Sequence, residues 1–62
     1  MDDKIEYNVR SAQKHGWSPM WFDGDGYNED LVEKITEFQK EHDLEPDGLC
    51  GPMTFARALT AR

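Results

Sequence analysis

Cysteine, long apolar runs and positive charge are all scarce in this 62-residue chain. Its one cysteine, Cys50, excludes an internal disulfide, so no covalent staple supports the core. No apolar stretch approaches the roughly 18 residues that a membrane-spanning helix requires. The opening Met1-Asp2-Asp3 has none of the basic-then-apolar pattern of a secretory leader, and synthesis in the cytoplasm is the expectation. Seven Lys and Arg stand against 13 Asp and Glu, for a net charge of −6. The excess is local. Residues 1–22 are balanced, residues 23–47 set ten acids against Lys34 and Lys40, and residues 48–62 carry only Arg57 and Arg62. So acidic a chain lacks the basic footprint that nucleic acid or an anionic membrane surface demands.

What is present suits one small domain, residues 1–62, expected to be monomeric. A chain of this mass should expose about 4,100 Å² folded against about 10,400 Å² unfolded, burying about 60% of its surface. That supports three short helices but does not wall off a deep catalytic cleft.

Apolar spacing predicts those helices. In the first, over about 3–15, Ile5, Val9 and Ala12 share a face, Asp3 and Glu6 have capping-box spacing, and Gly16 supplies a stop. The second, over about 29–42, has Asn28 as N-cap, Glu29 and Asp30 in its first turn, and a stripe of Leu31, Ile35 and Phe38 with Val32 beside it. The third, over about 52–61, turns Phe55, Ala58 and Leu59 inward. No segment alternates long enough for a strand. The loop over 16–27 is too apolar for a solvated linker, with Trp17, Pro19, Met20, Trp21 and Phe22, and should pack as a lid. The loop over 43–51 has Leu44 as its expected anchor. A shift of 24 residues lays Asp23-Gly24 on Asp47-Gly48, Leu31 on Phe55 and Ile35 on Leu59, a weak repeat of turn, cap and helix.

The most specific pattern is Asp47-Gly48-Leu49-Cys50-Gly51-Pro52-Met53-Thr54, following Phe38-Gln39 and Leu44. Gly48 can take a positive φ, Gly51 frees the backbone before a helix, and Pro52 suits the first helical position, where no amide hydrogen is needed. Asp47 can accept from turn amides, and Thr54 can bond to local backbone. From about Leu31 to Leu59 this pattern resembles the peptidoglycan-binding-like domain, the three-helix wall-anchoring module of many bacterial and phage lytic enzymes. The resemblance implies an all-α, small three-helix bundle with two long packed loops. It also implies that Phe38, Asp47, Gly48, Gly51, Pro52 and Thr54 form a structural motif. Free amides where the third helix begins could meet a ligand carboxylate.

Candidate contact residues come from aromatic chemistry, since ring faces stack on sugars and polar ring edges bond hydroxyls and amides. Trp17, Trp21 and Tyr27 cluster in one loop with Phe22, and at least one Trp and Phe22 belong to the core. Gln39 either ties the second helix to a loop or touches ligand. Cys50 has no base or second cysteine near it in sequence, which argues for a small buried hydrophobe over a catalytic thiol. An EF-hand counted from Asp23 would place Tyr27, Asn28 and Lys34 at its fifth, sixth and twelfth positions, so that match fails. His15 and His42 lack the partners of a zinc site. No metal and no cofactor are expected.

Glu29, Glu33, Glu37 and Glu41 form one acidic stripe at a spacing of four. Solvation is its default role, and docking of a basic protein partner is the alternative function. The reading that the resemblance implies is a non-catalytic module that binds peptidoglycan through its glycan or stem peptide. It would target a lytic enzyme, such as a phage endolysin or another cell-wall hydrolase, whose catalytic domain is absent from this chain. Its place of action would be the bacterial wall or periplasm.

Overall fold

The computed structural model describes residues 3–61. Met1, Asp2 and Arg62, which enter the charge balance and the leader reading, lie outside the described residues. Three α-helices, α1 (Asp3–His15), α2 (Glu29–Glu41) and α3 (Pro52–Thr60), are joined by two packed connections, and no strand occurs among the described residues. The chain exposes 4171 Å², the area expected of a compact fold of this mass.

Each helix stops for a local reason. Asp3 is already the first helical residue of α1, so the cap position itself falls outside the described residues, while Asp3 and Glu6 occupy the first turn. Gly16, at φ +80°, ends α1 and donates its amide to the Ala12 carbonyl at 2.8 Å. At the start of α2 the Asn28 side chain accepts from the Leu31 amide at 2.9 Å. Past its end, Asp43 takes φ +58° and the Leu44 amide reaches back to the Gln39 carbonyl at 2.8 Å. Pro52 opens α3 behind Gly51, whose φ of −82° any residue can adopt. The freedom expected of Gly51 is therefore not used.

The apolar loop contains a short 3-10 helix, Pro19–Phe22, which the sequence pattern did not predict. It closes on Asp23 in the left-handed region, with φ 63°. The core comprises Ala12, Trp17, Phe22, Leu31, Ile35, Cys50 and Ala58, with Trp21, Phe38 and Phe55 packed against it. Trp17 meets Phe22 edge-on, and Phe22 meets Phe38 edge-on, at 5.5 and 5.2 Å between ring centroids. Offset and edge-on pairs like these suit the ring quadrupole.

Three expectations about burial are corrected. Leu59 is 53% exposed, and Thr54 takes the inward place beside Ala58. Ile5 and Val9 are only half-buried, while the polar Asn8 and Ser11 are buried with Ala12. Leu44 is half-buried, so the second loop is anchored instead by Cys50, which has no exposed surface.

Candidate functional site

Residues 48–50 lie in irregular backbone beneath α1 and α2, so their six amide and carbonyl groups need partners that no helix supplies. Side chains supply them. Gln39 of α2 accepts from the Gly48 amide at 2.9 Å and donates to the Leu49 carbonyl at 3.0 Å. Asn8 of α1 donates to the Gly48 carbonyl at 3.1 Å and accepts from the Cys50 amide at 2.9 Å, as a neighbouring strand would. Ser11 donates to the Cys50 carbonyl and accepts from the Trp17 indole at 3.0 Å. Asp47 accepts from the Leu49 amide at 2.9 Å, inside its own turn.

Gln39 is the hub. Its amide nitrogen has two hydrogens and three acceptors at 3.0 Å: Asp47 Oδ1, the Leu49 carbonyl and Thr54 Oγ1. The Thr54 hydroxyl thus joins α3 to α2, where a bond to local backbone was expected. Among the described residues no buried side-chain polar atom lacks a partner. Gly48, at φ +75°, completes the fit. A Cβ there would sit 2.7 Å from Val32 Cγ1 and 3.0 Å from Thr36 Oγ1.

This network settles where several candidates sit. Gln39 and Trp17 are 1% and 3% exposed, with their polar atoms engaged inside the fold, and Gln39 reaches only the floor of the concavity between the loop at Leu44 and the start of α3. The amides of Gly48, Leu49, Cys50 and Gly51 are likewise taken internally, which removes them as a carboxylate cradle. Asn8 and Ser11 were missed from the sequence. Their signal is their place beside the Ile5, Val9 and Ala12 stripe, where polar residues mark a face that meets backbone.

Trp21 is half-buried and stacks on Phe55, which stacks on His15, at centroid distances of 5.5 and 5.1 Å. Tyr27 is 39% exposed and lies 6.2 Å from the Trp17 ring. Burial pushes the Cys50 thiol up from 9.0 to about 12, and the Ser11 hydroxyl beside it pulls back only in part. The thiol is therefore protonated at neutral pH and shielded from substrate. No three His, Cys, Asp or Glu side chains converge as a metal site among the described residues.

Open concavities occur on the surface of the described residues, and three of them bear on the candidate site. One of about 710 Å³ runs along α2 between Phe22, Phe38 and the acids Asp30, Glu33, Glu37 and Glu41. A second, of about 380 Å³, lies between the loop at Leu44 and the start of α3. A third, of about 330 Å³, lies along α1 at Arg10, Lys14 and His15.

Against known proteins, the sequence profile of the peptidoglycan binding domain family matches residues 22–57. The match spans both Asp-Gly turns, all of α2 and most of α3. It covers more than half of the chain, and the chain belongs to that family. No curated protein and no solved structure matches it.

Proposed function

We propose that this member of the peptidoglycan binding domain family is the non-catalytic targeting module of a cell-wall hydrolase, such as a phage endolysin. The family match over residues 22–57 is the observation that carries the reading. The family is a binding domain, and peptidoglycan is the partner that it implies. A module of this kind raises the effective concentration of a linked catalytic domain beside its polymer. The polar residues of the motif are spent on holding the fold, which leaves ligand contact to the surface. Trp21 and Tyr27 are the aromatic candidates there, because a partly exposed ring can stack on a sugar face.

The test is co-sedimentation with washed sacculi, run beside a turbidity assay. Binding without a fall in turbidity is expected. Trp21→Ala or Tyr27→Ala should weaken binding while circular dichroism stays helical. Lysis by the isolated chain would overturn the non-catalytic reading. The open acidic groove on α2 supports a second reading, docking of a basic protein. Glu33→Gln with Glu37→Gln separates the two. Sacculus binding should be nearly unchanged, and its loss in that variant would make the acidic face the site.

A further inference from the structure

The two smaller concavities share Tyr7 and Pro52 and so adjoin, as a groove whose halves have those two residues between them, at the junction of α1 with the start of α3. Its two ends differ in charge. Arg10, Lys14 and His15 line one end. Asp43 and Glu45 line the other, beside Leu44 and Met53. The basic end stands out on a chain of net charge −6 that has only seven Lys and Arg in all. Arg10 is already oriented, its guanidinium 3.1 Å from Glu6 one turn earlier, and it keeps further N–H donors for a ligand. Between the two ends stand Tyr7 and Pro52, which line both halves. Each half, about 380 and about 330 Å³, lies at the lower end of the range of pockets that hold small ligands, about 300–1,000 Å³.

Resting on the peptidoglycan reading, we infer that this groove takes the stem peptide, with a carboxylate at Arg10 and Lys14 and the amino group of the diamino acid at Asp43 and Glu45. The charge sequence along the groove selects such an occupant. A neutral glycan uses neither end, a nucleic acid is repelled by the acidic end, and a purely basic peptide is repelled by Arg10 and Lys14. The space at Tyr7 and Pro52 accommodates the alanine methyls of the peptide. Sugars of the same strand would then lie on the outside, within reach of the His15, Phe55 and Trp21 stack.

The probe is soluble stem peptide cleaved from sacculi, titrated into the chain by calorimetry in low salt. Two derivatives accompany it, one with its carboxylates amidated and one with its free amino group acetylated. Arg10→Gln with Lys14→Gln should weaken the native peptide by about tenfold or more, as expected for losing charged hydrogen bonds. The amidated peptide should bind the parent chain equally poorly. Asp43→Asn with Glu45→Gln should reproduce the loss seen on acetylation. All four side chains lie at the surface, and circular dichroism checks that each variant is folded. Unchanged peptide affinity in the Arg10 and Lys14 variant overturns the inference. So does binding of sacculi with no binding of peptide, which leaves the wall reading standing with glycan as the ligand. Failure to bind sacculi as well overturns the wall reading itself.

Discussion

Gly48 and Gly51 stand three residues apart in one turn, yet the fold asks different things of them. Gly48 needs its missing side chain twice over, for φ +75° and for the 2.7 Å approach to Val32. Gly51 needs it for neither reason in full. Its φ is ordinary, and a Cβ would meet only the end of the Tyr7 side chain, at 3.2 Å. Gly48→Val should cost about 1 kcal/mol or more, since a β-branched residue resists positive φ and the clash adds to it. Gly51→Ala should stay within about 1 kcal/mol of the parent, the cost being mainly a poorer N-cap. Urea midpoints of the two variants check the contrast, and equal losses would mean that the turn does not distinguish them.

The helices depend on their ends as much as on their stripes. The Asn28 cap holds the first turn of α2, the helix that carries Leu31, Ile35 and Gln39 into the centre. Asn28→Ala should therefore cost about 1 kcal/mol, read as a lowered melting temperature. Asn28→Asp should restore most of it, because a carboxylate accepts the same amide and suits the helix N-terminus. Failure of Asp to rescue would point to the Asn28 contact with Asp25 as the element that matters. Along the α2 surface, the ion pairs Lys34 with Asp30 and Lys40 with Glu37 are exposed and stretched to 3.8 Å, so they offset little of the acidic repulsion.

At the scale of the whole molecule, the buried thiol of Cys50 couples stability to pH in the alkaline range. Cys50 binds its proton more tightly folded than unfolded, about 12 against 9.0. Its contribution to stability is complete below about pH 9 and is lost as pH rises toward 12, because only the unfolded chain releases the proton in that window. Urea midpoints should therefore fall between pH 9 and 11. Cys50→Ala should flatten that slope. A slope unaffected by the substitution would show that the thiol is solvated in the folded state.

The helices and the domain class were determined by sequence, because apolar spacing, Asn28 and Pro52 act locally. Behind its Asn28 cap, α2 forms over Glu29–Glu41 almost as its pattern alone predicts. The 24-residue repeat also left its mark, since Gly24 and Gly48 both close against α2. Yet its copies are unequal. Asp23 takes the positive φ in the first turn and Gly48 in the second, and Ile35 is buried while Leu59 is exposed. Only the tertiary structure decided that Asn8 and Ser11 face inward, that Gln39 and Trp17 are buried, and that Tyr7 and Pro52 line the same concavities. The reason is distance along the chain. Asn8 and Cys50 are 42 residues apart, and the need of irregular backbone for a partner is felt only once the helices bring the two together.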